Sequence, residues 1–134
     1  MTDMAQIEKI LFLREVNLFR YCTAGEVLGI SNLAEETHFE AGKTIYTPGD
    51  SAEYLFCVVS GEVVIEDQGS SQTLGPHDAF GHQDILSGRL RSCTARVARD
   101  VHLIIVDAED FFDLMSNNID IVKALFRQVL SAVG

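Results

Sequence analysis

Phe80-Gly81-His82-Gln83-Asp84-Ile85-Leu86-Ser87-Gly88-Arg89-Leu90-Arg91-Ser92-Cys93-Thr94 is the stretch that decides how this chain folds. A glycine stands at the mouth of a short apolar turn, and an arginine follows in a run of small residues. That layout suits a bound phosphate. A short helix starting at Gly81–His82 would turn free backbone N–H groups toward the anion, and Arg91 would close on it from the next strand. With no Cβ at Gly81 the chain can approach the anion closely. A charge-assisted hydrogen bond of the kind Arg91 would make contributes about 1.5–3 kcal/mol. The bland alternative is a surface arginine on an edge strand. Arg89 is the next candidate for the same role.

Around this stretch the chain runs helix, strands, helix. Ile7–Phe12 and Leu18–Phe19 have helical spacing. Thr23 is placed to cap a second helix with Glu26 at the capping-box position, ending by Ala34. From Glu36 the period becomes strand-like, broken at Gly42, Pro48-Gly49-Asp50, Gly61, Gly69, Gly75-Pro76 and Gly81. Breakers this frequent predict short strands in a barrel or sandwich: 37–40, 44–46, 54–60, 62–68, 92–98 and 102–106. Ser60-Gly61-Glu62 is expected to be a tight corner, and Gln68–Ser71 a hairpin tip. Asp107-Ala108-Glu109-Asp110 opens a helix with carboxylates at its positive end. Phe111, Phe112, Leu114 and Met115 are its expected apolar face. A last helix carries Ile121, Val122, Leu125, Phe126, Val129, Leu130 and Val133.

The quoted stretch resembles the phosphate-binding cassette of the cyclic-nucleotide-binding domain family, F-G-E-x-x-L-L-x-x-x-P-R-x-A-T. Phe80, Gly81, Leu86, Arg91 and Thr94 match it without a gap, and Gln83, Ser92 and Cys93 fall inside it. His82 stands where the family has the acid that holds the ribose 2′-hydroxyl, and Leu90 stands for the proline. Phe39-x-x-Gly42-x-x-Ile45-x-x-x-Gly49-Asp50 and Tyr54-Leu55-Phe56-x-Val58-x-x-Gly61-x-Val63 extend the match over residues 9 to 130. The resemblance implies a mainly β fold, an antiparallel eight-stranded jelly-roll barrel with helices at both termini. It implies one domain over 1–134, with helices in 1–34, the barrel in 36–106 and helices in 107–134. In that family the last helix can fold over the ligand mouth.

The resemblance also implies a regulatory module that binds cyclic AMP or cyclic GMP through Phe80, Gly81, His82, Gln83, Arg91, Ser92, Cys93 and Thr94. Such modules control an attached effector domain or a partner protein. With His82 at the ribose position binding is expected to be weak, because a neutral imidazole offers one acceptor where a carboxylate offers two oxygens. A protonated His82 would instead pair with the phosphate below about pH 6.5. His82→Glu is expected to raise affinity, and Arg91→Ala to abolish binding with little change in melting temperature. The alternative reading is a ligand-free barrel serving as an interaction or scaffold module.

Composition narrows the field further. In 134 residues, 10 Lys and Arg face 20 Asp and Glu, for a net charge of −10. So acidic a surface argues against nucleic acid and anionic membranes as partners. No apolar run has the length of a membrane span and no leader pattern is present, so a cytoplasmic location is expected. Cys22, Cys57 and Cys93 form no C-x-x-C pair, and His77-Asp78 with His82 and Asp84 lack the spacing of a metal centre. No nucleophile arrangement has a local signature, so neither an enzyme nor a cofactor is expected, though a homodimer through the last helix is.

Overall fold

The computed structural model describes residues 3–133, the last two of them, Ala132 and Val133, without their side chains. Two fourteen-residue strands, β3 (Tyr54–Asp67) and β6 (Thr94–Asp107), form its spine. They pair antiparallel, from Tyr54 opposite Asp107 to Glu66 opposite Thr94. Each carries two short strands on its free edge. β1 (Glu35–Phe39) and β2 (Thr44–Tyr46) lie along β6, and β4 (Ser70–Leu74) and β5 (Ala79–Phe80) lie along β3. All pairings are antiparallel, and the sheet with its flanking helices is the jelly-roll arrangement.

Among the described residues the sheet has six strands, where eight were expected. The corner expected at Ser60-Gly61-Glu62 is a bulge inside one continuous strand, with the β3–β6 register slipping between Val58 and Val63. Gly61 is required there. Its φ is +92°, and a Cβ would strike the Asp100 carbonyl oxygen and lie 2.8 Å from the Val101 Cα. The extra residue also switches which side chains face inward: Phe56 and Val58 before the bulge share a core with Val63 after it. The segments expected at 92–98 and 102–106 are likewise one strand, and Ser92 and Cys93 precede it as loop. β4, with its sequence Ser-Ser-Gln-Thr-Leu, and two-residue β5 were not foreseen. The hairpin tip falls where it was expected, with Gln68 at φ +44° and Gly69 at φ +89°.

Helices α1 (Gln6–Arg14) and α2 (Ala24–Leu33), separated by a 3-10 turn at Asn17–Phe19, precede the sheet. The Thr23 hydroxyl accepts from the Glu26 N–H, and the Glu26 carboxylate accepts from the Thr23 N–H, as the capping box requires. α1 is tied to the sheet through Glu36, whose carboxylate accepts from the Met4 N–H and lies 2.7 Å from His102 Nε2. His38 and His102, distant in sequence, are cross-strand neighbours with rings stacked at 4.3 Å. After β6 come α3's successors α4 (Ala108–Ser116), capped by Asp107, and α5 (Ile119–Val133); α3 (His82–Ser87) itself sits between β5 and β6.

Two cores result. Leu55, Cys57, Ile104 and Val106 face the helices and pack with Leu13, Phe19, Val27, Ile30, Phe111, Ile121 and Leu125. Phe56, Val58, Val101 and Leu103 face the sheet interior and pack with Tyr46, Val63, Leu74, Phe80, Ala95 and Val97. Alternate residues of one strand thus serve opposite cores, which is why four consecutive residues, 55–58, are all buried. On α4 only Phe111 and Met115 are buried, whereas Phe112, expected on the same face, is 44% exposed. On α5 Ile121 and Leu125 are inside while Phe126 and Leu130 point outward. Among the described residues no helix is long and apolar enough to cross a membrane.

Candidate functional site

A cavity of about 420 Å³ opens beside the sheet interior. β1 supplies Thr37 and Phe39, β2 Ile45 and Tyr46, β3 Tyr54 and Phe56, and the turn before β3 supplies Asp50, Ser51 and Glu53. Ile105 of β6 and Arg91 complete the wall. None of the described residues lining it comes from α5.

Arg91 is 3% exposed, in the loop between α3 and β6. The reading as a surface arginine on an edge strand is therefore corrected, and so is its placement on the strand itself. Its backbone is pinned from both sides: the Arg91 N–H donates to the Asp50 carbonyl at 2.8 Å, and the Gly49 N–H donates to the Arg91 carbonyl at 2.9 Å. Its guanidinium lies 4.2 Å over the Tyr46 ring. Nη1 donates to the Gly81 carbonyl and Nη2 to the Tyr54 carbonyl, each at 2.6 Å, while Asp84 Oδ2 lies 3.4 Å from Nη1. Nε is buried with no partner.

Gly81 takes φ +82° and opens α3, the short helix anticipated at Gly81–His82. A Cβ there would lie 3.1 Å from Arg91 Nη1 and 3.1 Å from Phe56 Cδ2. The glycine therefore makes room for the arginine and an aromatic ring. Phe80 is 4% exposed and stacks on Phe56 with centroids 4.8 Å apart, beneath the cavity rather than on its wall.

His82 does not line the cavity. Burial pushes its imidazole down to about 4, with Asp84 opposing the shift and Arg91 adding to it. Its Nδ1 is buried without a partner. The expected protonation near pH 6.5 is thus corrected: His82 stays neutral well below that value. Gln83 is exposed on the outer side of α3. Ser92 and Thr94 line a separate polar cleft with Pro48 and the β3–β4 hairpin tip, and Cys93 lies between them with its Sγ 3.6 Å from the Ser92 hydroxyl. Of the cassette residues singled out from sequence, Arg91 alone borders the cavity, and Gly81 touches it through Arg91.

Asp84 and Tyr46 were not anticipated in this role. Asp84 is 8% exposed and meets two arginines, Arg91 through one oxygen and Arg89 through the other at 3.5 Å. An acid two residues past the expected acidic position was the available signal. Burial pushes the Tyr46 phenol up to about 12 against the pull of Arg91, so it remains a neutral platform for the guanidinium. The cavity can thus offer aromatic surface, the Asp50 and Glu53 carboxylates at its rim and one guanidinium. The Asp50 carboxylate already accepts from the Thr47 N–H at 2.9 Å.

A family model described as the cyclic nucleotide-binding domain matches residues 36–118. A putative potassium channel protein from Rhodopseudomonas palustris is 27% identical over 123 residues, covering 89% of this chain and 30% of that protein. A cGMP-dependent protein kinase from Drosophila melanogaster is 29% identical over 121 residues, covering 84% of this chain and 13% of the kinase. The chain therefore spans less than a third of either relative. The regulatory domain of Toxoplasma gondii PKA, co-crystallised with cAMP, superposes with a TM-score of 0.82 over 96% of this chain and 49% of that one. At 15% identity that likeness speaks to the fold alone.

Proposed function

This chain belongs to the cyclic nucleotide-binding domain family, and on that premise we propose that its cavity takes a cyclic nucleotide, cyclic AMP or cyclic GMP, and that occupancy regulates an attached effector or a partner protein. One observation carries this reading: Arg91 is almost wholly buried yet forms part of a cavity wall. Burying a guanidinium is costly unless it is paired and hydrogen-bonded, and here its Nε remains unpartnered. A cyclic phosphate entering the cavity would meet that charge, with Tyr46, Tyr54 and Phe56 as the aromatic surface for the rest of the nucleotide. Affinity is modest, because the ligand must share Arg91 with two carbonyls and Asp84, and because His82 offers the ribose little.

A ligand-free module is the second reading, favoured by the way Gly81, Tyr54 and Asp84 already engage the guanidinium. Isothermal titration with cyclic AMP, cyclic GMP and 2′-deoxy cyclic AMP separates the two. We expect saturable binding of at least one ribonucleotide in the micromolar to millimolar range. Because His82 does not line the cavity, His82→Glu should change the affinity little, in contrast to the gain expected from the sequence resemblance. No heat with any nucleotide on either protein would favour the scaffold reading.

A further inference from the structure

Four of the six strands, β1, β2, β4 and β5, pair with a neighbour on one side only. Proteins blunt such edges with charge, proline, bulges or shortness, because an unpaired edge recruits another chain. Three of the four are blunted in this way. β1 carries Glu35 and Glu36, β2 has three residues with a register slip between Thr44 and Tyr46, and β5 has two residues. β4 is not. Its five residues, Ser-Ser-Gln-Thr-Leu, hold no charge and no proline, and the first four are exposed. They pair with β3 in unbroken register, from Ser70 opposite Asp67 to Leu74 opposite Val63. No backbone hydrogen bond runs from the outer edge of β4 to another described residue. The sequence also keeps charge away from this edge: residues 68–76 are its longest stretch without an acidic, basic or histidine residue.

We propose that β4 is a self-association edge, pairing antiparallel with β4 of a second copy of this chain across a two-fold axis at Gln72. Each copy carries a net charge of −10, so two copies repel wherever their acidic surfaces meet. Two copies of β4 are complementary in charge because neither strand carries any. An axis at Gln72, the middle residue, lets all five residues pair: Ser70 with Leu74, Ser71 with Thr73, and Gln72 with its own copy. Hydroxyl then meets hydroxyl and amide meets amide, and no like charges face each other. The contact uses the same patch on both copies and therefore closes at two. β4 itself presents neither a charge nor an exposed apolar side chain that would select a different partner. Five residues a side bury an area at the low end of specific interfaces, so the dimer is weak and forms at high protein concentration.

The test is sedimentation equilibrium over a range of protein and salt concentrations, on the parent, Gln72→Glu, Gln72→Lys and Phe126→Ser. Gln72 is exposed, so either substitution there should leave the melting temperature of the monomer nearly unchanged. The parent should show a monomer–dimer equilibrium that salt strengthens, because screening removes the repulsion between two acidic copies. Gln72→Glu and Gln72→Lys each set like charges opposite one another at the axis and should weaken the dimer about fivefold. An equimolar mixture of the two should associate more tightly than either alone, since opposite charges then face each other. Phe126→Ser, on the outer face of α5, should dimerise like the parent. A parent that stays monomeric at the highest protein and salt concentrations overturns the second copy as the occupant of this edge. A dimer that both Gln72 variants retain undiminished, or a mixture that gains nothing, overturns it equally. A dimer lost in Phe126→Ser but kept in the Gln72 variants assigns association to α5 instead.

Discussion

The helical core and the sheet core are built from the same two strands, but only one of them holds a charge. On the helix side, Leu55, Cys57, Ile104 and Val106 meet Phe111, Ile121 and Leu125 in an apolar cluster. On the sheet side, Tyr46, Phe56 and Phe80 close around the Arg91 guanidinium, with Asp84 behind it. Apolar packing alone suffices to hold the helices on the sheet. Charge kept in the other core lowers stability for a given volume, because both ions lose their hydration. A charge held there fits the proposal that the sheet interior takes the ligand and the helical core supports it.

The strongest way to break this contrast is to damage each core once. Phe111→Ala opens a void in the helical core and should cost about 3–5 kcal/mol, with ligand affinity otherwise unaffected. Arg91→Ala should cost a comparable amount for a different reason. It leaves the buried Asp84 carboxylate with only the exposed Arg89 as partner and takes the donor from the Gly81 and Tyr54 carbonyls, a loss of about 3–5 kcal/mol. Either change should lower the melting temperature by roughly 10–20 °C. This reverses the expectation from sequence that Arg91→Ala would leave melting unchanged, an expectation suited to an exposed side chain. Arg91→Met combined with Asp84→Leu should recover most of the stability by removing both charges, and should still bind no nucleotide. Thermal melts with and without cyclic AMP decide the point. A stable Arg91→Ala protein would mean that the guanidinium is not holding the sheet core.

That reversal shows where sequence was legible. The cassette spacing placed Gly81, the start of α3 and Arg91 in the right order, because a left-handed glycine and a following helix are local features. Thr23–Glu26 and Asp107 announced their helices for the same reason. What stayed hidden was nonlocal. Nothing near Arg91 in sequence says that its guanidinium turns inward to the Tyr54 carbonyl, 37 residues away. Gly61 read as a corner because a glycine at positive φ serves a turn and a bulge equally well, and only the facing Asp100 distinguishes them. β4 escaped notice because its polar residues are held by pairing with β3 rather than by burial.

A smaller effect separates the two regions by pH. His82 titrates near 4 when folded and near its ordinary 6.5 when unfolded. Between those values the unfolded chain binds a proton that the folded one does not, so stability falls as pH drops from 6.5 and the loss levels off below about 4. The full span corresponds to about 3 kcal/mol. Urea denaturation of the parent and His82→Gln across this range should show the parent's extra slope, while groups common to both cancel in the difference. Parallel pH profiles would place His82 in water. Phe111→Ala, remote from α3, should keep the parent's slope.

The smallest effect is expected on the outer face of α5. Phe126 is 62% exposed and Leu130 65%, beside a groove of about 550 Å³ that also takes in Leu86, Phe112 and Ile119. Ile121 and Leu125, on the inner face of the same helix, are 1% and 4% exposed. The helix therefore owes its attachment to the inner pair, and Phe126→Ser should change monomer stability by less than about 0.5 kcal/mol. Leu125→Ala, one residue earlier in sequence and buried, should cost about 2–5 kcal/mol. Chemical denaturation at two protein concentrations makes the comparison clean. If Phe126→Ser proves costly only at the higher concentration, the outer face is an interface between copies of the chain, since only association makes stability depend on concentration. If it proves costly at both, Phe126 is packed within the chain, and the division of α5 into an inner and an outer face does not hold.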